Sequence, residues 1–198
     1  MKRILFILHL PKPVHGSSIV GQAIRDSELI NSTFSSRYIN LSTSRSVDEI
    51  GKNAMIKTGR YLSILWQTMW QLMVFRPHKV YLTISASGAG FYKDFPVAML
   101  AGLFGAKRIY HFHNKGISKR QDKKLDDLLC KLIFRKAEVI LLSKYLYDDI
   151  AKYVPEERVK YCANGVGPLP PKGGFRECYF EISCYFFKKH FLILSFLH

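Results

Sequence analysis

Short runs of almost entirely apolar residues alternate along this chain with longer segments in which apolar residues recur every three or four positions. The runs are RILFILH (3–9), KVYLTI (79–84), KRIYHFH (107–113), EVILLS (138–143) and the weaker RYINLS (37–42). They are short and rich in β-branched and aromatic residues, which favours strands over helices. Because they are apolar on both faces, we expect a parallel sheet that is covered on both sides.

The longer segments have the spacing of amphipathic helices. We predict helices at 18–30, with Ser17 or Ser18 as N-cap, and at 91–105, ended by Gly105. A further helix follows the i, i+3, i+4, i+7, i+8 series Leu125, Leu128, Leu129, Leu132 and Ile133, and the stretch 47–75 is helical in one or two pieces. Strands that alternate with helices predict an α/β, doubly wound, Rossmann-like parallel sheet.

Pro96 falls within the predicted helix 91–105. It lies in the first turn of the helix or it kinks the helix.

The chain divides into three parts. Residues 1–163 hold the alternating pattern and predict one Rossmann-like domain. Residues 164–174 (NGVGPLPPKGG) are rich in Gly and Pro, which is typical of a linker. Residues 175–198 form a Phe/Cys-rich tail with no clean period, and it holds six of the chain's 14 Phe and two of its four Cys. We expect this tail to lie outside the fold.

Two segments resemble membrane elements. MKRILFILHL (1–10) starts like a signal peptide, but it contains His9 and lacks a small-residue cleavage site, so we interpret it as the first strand. The apolar stretch 60–75 is shorter than the roughly 20 residues of a spanning helix, and Gln67 and Gln71 interrupt it. A buried helix or a membrane-surface helix fits it better.

Composition narrows the class of partner. Hydrophobic residues make up 48% of the 198 residues, which is enough for a substantial core. The 30 Lys and Arg exceed the 15 acidic residues, which gives a formal charge of +15. This charge favours anionic partners: nucleic acid, an acidic membrane face or phosphorylated small molecules. No C-x-x-C pair occurs, so we expect free thiols in a reducing compartment.

Three strand-to-helix loops carry the candidate chemistry, and in a parallel sheet all three lie at the carboxyl edge. The first is PKPVHGSS (11–18), in which prolines stiffen the exit from the strand and Gly16 lets backbone approach a ligand. A helix start at Ser17 would present N–H groups to a phosphate or carboxylate. The alternative is an ordinary turn with an N-cap. The loop matches neither the P-loop nor the G-x-G-x-x-G pattern.

The second and third loops are SASGAG (85–90) and HFHNKG (111–116). The small residues of the second suit either ligand contact or tight packing. We expect His111 and His113, two residues apart on a strand, to face opposite sides and not to share a metal. His113 is nearer the strand end and is the better candidate for the cleft, although a lone histidine is usually structural.

These features together resemble the amino-terminal half of a GT-B glycosyltransferase of the family 4 group. The resemblance is carried by RILFILHLPKPVHGSS, HFHNKG, EVILLSKYLYDDI (138–150) and VKYCANGVG (159–167), and it covers about residues 1–170. It implies two Rossmann-like domains facing each other across a cleft. The activity it implies is a retaining, metal-free transfer of a sugar from a nucleotide-sugar, with no cofactor, to a glycan or lipid-linked acceptor.

The resemblance also implies roles for named residues. His15, Gly16 and Ser17 would contact the donor phosphates, and His113 would be catalytic through contact with the transferred sugar. The acceptor side would include Ser85, Ser87, Gly88, Asn114 and Lys115. The implied location is cytoplasmic, with a peripheral position on an anionic inner membrane face as an open possibility.

One departure from that family is large. Its second domain carries two glutamates with seven residues between them, and no two glutamates of this chain have that spacing. We therefore expect the acceptor-side half alone, inactive by itself, with the tail as a frameshifted reading or with the donor domain on a second chain. The alternative is a basic Rossmann-like module for anionic lipid or nucleic acid. The basic run NKGISKRQDKK (114–124) has no interleaved aromatic residues, which counts against nucleic acid.

Overall fold

The computed structural model describes residues 1–43 and 54–163. Six strands and five α-helices follow one another in the order β1 Arg3–Leu8, α1 Gly16–Arg25, α2 Glu28–Thr33, β2 Ser35–Asn40, α3 Ala54–Val74, β3 Lys79–Ile84, α4 Gly88–Leu103, β4 Lys107–Phe112, α5 Lys124–Phe134, β5 Glu138–Leu141 and β6 Val159–Tyr161. Short 3₁₀ turns occupy Ser118–Arg120, Lys144–Asp149 and Glu156–Arg158.

All six strands belong to one sheet in the order β2-β1-β3-β4-β5-β6, and every neighbouring pair is parallel. The predicted fold class is therefore confirmed. β2 lies on one side of β1 and β3 lies on the other, so the direction of strand addition reverses at β1. In such sheets the crevice beyond the carboxyl ends at the reversal point is where ligands bind.

Apolar side chains pack on both faces of the sheet, as the unbroken apolar runs predict. Along β1, Leu5 and Ile7 face the layer formed by α3, α4 and α5, whereas Ile4, Phe6 and Leu8 face α1 and α2. All five are fully buried. This double burial is the reason that the central strands are mostly apolar.

Two predicted elements need correction, the helix 18–30 and the strand 37–42. The predicted helix 18–30 is two helices, because Ser27 accepts a hydrogen bond from the Ile30 N–H and caps α2 separately. The predicted strand 37–42 is β2, which begins two residues earlier, where Ser35 pairs with Arg3. β2 is an edge strand with few buried residues, so its apolar pattern marks its bounds poorly.

Other boundaries also differ. The predicted helix 91–105 is α4, which begins at Gly88, so Pro96 is an interior residue and the first-turn alternative is wrong. β4 ends at Phe112 and β5 ends at Leu141, one and two residues before the predicted ends. The predicted stretch 47–75 is described from Ala54 as the single helix α3. The predicted linker and tail (164–198) lie outside the described residues and stay predictions.

Candidate functional site

A cleft of about 350 Å³ opens at the carboxyl edge of the sheet, beside the point where strand order reverses. Residues after β1, β3 and β4 form its wall: His9, His15, Gly16, Ser17, Thr83, Ile84, Ser85, His113 and Asn114. Six of the nine predicted site residues are thus brought together. Ser87, Gly88 and Lys115 are exposed and do not line the cleft.

The first loop ends in a histidine cap rather than a serine cap. His15 is the N-cap of α1, and its Nδ1 accepts a hydrogen bond from the Ser18 N–H at 3.3 Å. The Ser18 hydroxyl oxygen accepts from the His15 N–H at 2.9 Å and completes a capping box. The predicted caps at Ser17 and Ser18 are therefore wrong, because an imidazole nitrogen has taken the usual place of a serine oxygen.

This cap sets the tautomer of His15. An Nδ1 that accepts from a backbone N–H carries no proton, so the neutral ring holds its proton on Nε2. Burial and the nearby positive charge of Lys93 both lower the pKa of His15, which favours this neutral form. His15 thus has an Nε2–H donor available at the cleft. The cap uses the N–H of Ser18 and leaves the N–H groups of Gly16 and Ser17, the first of α1, uncapped by His15.

His9 lines the cleft as well, and the sequence reasoning did not select it. Its ring centroid lies 5.5 Å from that of His15 in an edge-to-face arrangement. Burial is the largest cause that lowers its pKa to about 3, followed by Lys93, His15 and His113. The signal that could have found it was its position, because His9 follows the first strand just as His113 follows the fourth.

His113 is the most unusual side chain of the cleft. It is half-buried, and within the described residues neither of its ring nitrogens has a hydrogen-bond partner. Burial, with a further contribution from His15, lowers its pKa to about 4, so the ring is neutral at pH 7. Buried polar groups are rarely left unsatisfied in proteins, and both ring nitrogens of His113 are unsatisfied by the described residues at this cleft wall.

The predicted separation of His111 and His113 is wrong. Their ring centroids are only 4.2 Å apart. Side chains two residues apart along a strand point to the same face, so His113, which directly follows β4, stays on the side of His111. His111 is fully buried beneath it and forms a hydrogen bond through Nδ1 with the Tyr81 hydroxyl. His111 therefore supports the ring of His113 from below.

The second and third loops are fastened to each other. Asn114 accepts a hydrogen bond from the Ala86 N–H at 3.1 Å, and its amide donates to the Ser87 hydroxyl at 3.2 Å. Gly116 has φ of +150°, and a Cβ there would meet the Ser87 Cβ at 2.7 Å, so only glycine lets these loops approach. Asn114 and Ser87, predicted as acceptor-side contacts, thus have a structural role in this arrangement.

Two buried charged residues hold these loops in place, and the sequence reasoning missed both. The Asp149 carboxylate accepts from the N–H groups of Gly116, Ile117 and Ser118 and from the Ser118 hydroxyl. Burial raises the pKa of Asp149, but these hydrogen bonds together outweigh it and the net shift is downward.

Arg120 is the second of these residues, and it fastens the loop after β3. Its guanidinium donates to the Ala86 and Gly88 carbonyls, pairs with Asp126 at 3.3 Å and lies over the Phe91 ring. One of the five cations in the basic run 114–124 is therefore engaged inside the fold and does not belong to a solvated basic face.

Lys93 supplies positive charge near the cleft. It lies in the second turn of α4, half-buried, and its ammonium is 3.8 Å from the Asp94 carboxylate. Its charge lowers the pKa of both His9 and His15, which places it within electrostatic reach of the cleft wall. The sequence reasoning missed it because nothing in the local pattern FYKDF distinguishes this lysine from a solvated one.

The chemistry open to this wall is hydrogen bonding and anion binding. Within residues 1–43 and 54–163, no three His, Cys, Asp or Glu side chains are grouped so as to hold a metal ion. The two described cysteines, Cys130 and Cys162, are buried in the core. A second groove, of about 540 Å³, lies elsewhere on the domain and is lined mostly by apolar residues. None of the described helices combines the length and hydropathy that crossing a membrane requires.

Comparisons with known proteins give little beyond this geometry. No protein-family model matches the chain, and no curated protein matches it in sequence. The solved structures include a similar one, a co-structure of S. aureus MnaA with UDP, at 11% sequence identity and a TM-score of 0.49. The match covers 81% of this chain and 43% of that one, so this chain spans less than half the length of MnaA. At this similarity, nothing about ligand or activity passes from MnaA to this chain.

Proposed function

We propose that this domain is the acceptor-side wall of a sugar transferase of the GT-B type, which transfers a sugar from a nucleotide-sugar to a glycan or lipid-linked acceptor. The observation that carries the proposal is His113, a neutral, half-buried imidazole at the cleft wall whose two ring nitrogens have no hydrogen-bond partner within the described residues. A sugar is dense in hydroxyl groups that both donate and accept. A neutral imidazole both donates and accepts a hydrogen bond, so a sugar matches it better than a metal ion or a carboxylate would.

The charge that a diphosphate needs comes from other groups of the same cleft. The first N–H groups of α1 and the Nε2–H of His15 are donors, and Lys93 adds a positive charge nearby. A Cβ built on Gly16 meets no atom within 4 Å, so the fold itself does not require glycine there. We interpret that open space as room for the phosphates of the donor.

Binding of the donor tests the proposal. The chain is titrated with nucleoside diphosphates and with the corresponding nucleotide-sugars, and the ring signals of its histidines are followed by NMR. We expect the signals of His9, His15 and His113 to move, while that of the exposed His78, which bonds the Arg3 N–H, stays fixed. A titration to millimolar ligand in which none of the three signals moves would contradict the proposal.

Two variants separate the sugar from the phosphates. His113→Ala should weaken binding of the nucleotide-sugar roughly tenfold, because a buried hydrogen bond is lost, and should leave the diphosphate unaffected. Gly16→Val should weaken both ligands, because its branched side chain fills the open space. His78→Ala is the matched control and should change neither affinity. If His113→Ala weakened the binding of both ligands equally, the assignment of a sugar contact to His113 would be wrong.

Transfer itself needs the donor held between two walls, since positioning supplies much of the rate. We therefore expect this chain to bind the donor weakly and to show no measurable transfer alone, and we expect activity when a donor-binding domain is supplied in trans. In that system His113→Ala should depress turnover strongly, whereas His111→Ala should act through the stability of the fold. Robust transfer by the isolated chain would refute the proposal that a second, donor-binding domain is needed.

A further inference from the structure

One side of α3 is not covered by the described residues and carries large apolar side chains. These side chains, each at least 40% exposed, recur at helical spacing and form a stripe along the helix: Met55, Leu62, Trp66, Trp70 and Met73. The opposite side of α3 packs on the sheet layer through Ile64 and Leu72. Exposed apolar residues scattered singly need no explanation, whereas a contiguous stripe marks a surface that another molecule covers.

The α3 stripe is uncharged. Residues 61–75 contain no charged side chain. The two cations nearer the start of the helix do not lie on the stripe, since Lys57 is half-buried and Arg60 donates to a backbone carbonyl at 3.0 Å. Ser63 and Gln67, which are exposed beside the stripe, form a hydrogen bond with each other at 3.0 Å. The stripe therefore gives a charged ligand no point of attachment and suits an apolar partner.

The spacing of the stripe is the same when it is read in either direction. Gly59 lies on it as well, so successive positions from Gly59 to Met73 are separated by three, four, four and three residues. A second, antiparallel copy of α3, related by a two-fold axis at Trp66, therefore places every stripe position opposite another. This arrangement pairs Gly59 with Met73, Leu62 with Trp70 and Trp66 with itself. A large side chain thus meets a smaller one on each side of the axis.

Gly59 is a residue that the described fold does not require. It is exposed in the interior of α3, where glycine is less favourable than alanine, and a Cβ built on it meets no atom within 4 Å. A facing helix gives this glycine a reason. Without a side chain at Gly59, the second copy's Met73 can pack against the backbone of α3.

The same two-fold axis explains the groove at the end of α3. This groove, of about 540 Å³, is lined by Leu72, Met73, Arg76, Pro77 and Phe104. The pairing of Gly59 with Met73 places Met55 opposite Pro77, at the groove. Met55 is 89% exposed, more than any other large apolar side chain of the described residues, and the flexible thioether of methionine fills irregular gaps. Each copy would thus fill the groove of the other.

The area of this surface is sufficient for a specific dimer. The two tryptophans, each about half exposed, present roughly 250 Å² per copy. With the other stripe residues and the rim of the groove, where Phe104 is 45% exposed, each copy offers on the order of 600 Å². A dimer would then bury about 1,200 Å² in total, which is the lower end of the range for specific interfaces.

We propose that this chain forms a two-fold symmetric homodimer, in which α3 packs antiparallel against α3 of the second copy and Met55 enters the second copy's groove. The interface lies on one face of the sheet, whereas the cleft lies at its carboxyl edge. The dimer proposal and the sugar-transferase proposal can therefore fail separately.

Sedimentation velocity of the full chain over a range of concentrations tests the proposal. We expect a monomer–dimer equilibrium in which tryptophan emission shifts to the blue as the dimer forms, because both tryptophans of the chain lie on the stripe. A chain that stays monomeric at high micromolar concentration would overturn the proposal. If that monomer already shows the emission of buried indoles, another segment of the same chain covers the stripe.

Salt distinguishes this apolar contact from an ionic one. Each copy carries a formal charge of +15, so two copies repel each other at long range. Raising the salt from about 0.1 M to about 1 M shortens the Debye length from about 10 Å to about 3 Å and should strengthen the dimer. Dissociation of the dimer by salt would contradict the proposal, because charged groups would then hold the copies together.

Three variants locate the interface. Trp66→Gln should weaken the dimer at least about a hundredfold, because the indole is lost on both sides of the axis. Gly59→Leu should also weaken the dimer, although it should raise the melting temperature of the monomer, since leucine favours a helix more than glycine does. Leu125→Gln, 65% exposed on α5, is the control and should leave the association unchanged. A dimer that tolerates Trp66→Gln has another interface, and the proposal is then wrong.

Leu62 and Trp70 test the antiparallel pairing. They are about 12 Å apart along one helix, too far to touch within a copy, but face each other across the proposed interface. Leu62→Lys and Trp70→Glu should each weaken the dimer at least about tenfold, because each buries an unpaired charge. The double variant pairs opposite charges twice and should associate more tightly than either single variant. Additive losses in the double variant would overturn the antiparallel pairing and the proposal with it.

Discussion

At the scale of single residues, the cleft histidines make the stability of the fold depend on pH. The pKa values of about 3 for His9 and about 4 for His113 lie below the ordinary value of 6.5, because burial disfavours the charged ring. As the pH falls from 6.5 to 4, these histidines therefore become protonated in the unfolded chain before they do in the folded chain. The free energy of unfolding should fall over that window by up to about 1.4 kcal/mol per pH unit for each histidine.

Replacing His113 isolates its share of this dependence. The variant His113→Gln cannot titrate, so its free energy of unfolding should fall less steeply between pH 6.5 and pH 4.5 by about one histidine's contribution. Urea unfolding of parent and variant at several pH values measures the two slopes. Parallel curves would show that His113 is not the buried neutral histidine that the structure describes.

Gly16 and Gly21 both lie in α1, but they differ in the space available for a side chain. A Cβ on Gly21 would collide with the carbonyl oxygen of His9, where α1 approaches the end of β1, whereas a Cβ on Gly16 meets open space. We expect Gly21→Ala to lower the free energy of unfolding by about 1–3 kcal/mol and Gly16→Ala to change it by less than about 0.5 kcal/mol. Chemical denaturation distinguishes the two, and equal effects would contradict the close contact of α1 with β1.

At the scale of elements, Asp149 joins the loop after β4 to the turn after β5. One carboxylate accepts four hydrogen bonds from residues 116–118. The variant Asp149→Asn loses the charge and places an amide donor against backbone N–H groups, so it should lower the free energy of unfolding by roughly 2 kcal/mol or more.

The neighbouring Asp148 provides the matched control for this prediction. Asp148 is exposed, so Asp148→Asn should leave the melting temperature nearly unchanged. The loop also carries His113, so Asp149→Asn should disturb the His113 ring signal in NMR while leaving that of His78 in place. A melting temperature equal to that of the Asp148 variant would show that the loop holds its conformation without Asp149.

At the scale of the whole molecule, the strongest expectation concerns residues 175–198. Their Phe-rich composition differs from that of the domain before them, and exposed sequence of that kind promotes association. Deleting these residues should leave the melting temperature unchanged and raise the concentration at which the chain stays monodisperse in light scattering. A clear drop in melting temperature would mean that the tail packs on the core.

Local periodicity was sufficient to predict the architecture. Runs such as KVYLTI are apolar on both faces because both faces are covered, and this relation between pattern and burial acts within a few residues. Parallel strands then require that the loops after β1, β3 and β4 lie at one edge, so the position of the cleft followed from the order of elements. The bounds of the elements were predicted less accurately where few side chains are buried, as in the edge strand β2.

The composition of the cleft wall was decided only by tertiary structure. His9, Lys93 and His113 come from three segments, and the lowering of the His9 pKa by Lys93 and His113 depends on distances that no local pattern contains. The rings of His111 and His113 pack against each other at the end of β4, and Asp149 reaches a loop more than thirty residues away.

The sequence of α3 likewise predicted an apolar helix but not which side of it the sheet would cover. A helix with large apolar residues on both its inner and its outer side carries little periodic signal to tell one side from the other. Its packing through Ile64, Thr68 and Leu72 made that choice and left both tryptophans facing outward. Patterns between neighbours in sequence therefore determined the fold, whereas contacts between distant segments determined the cleft wall and the exposed apolar surface.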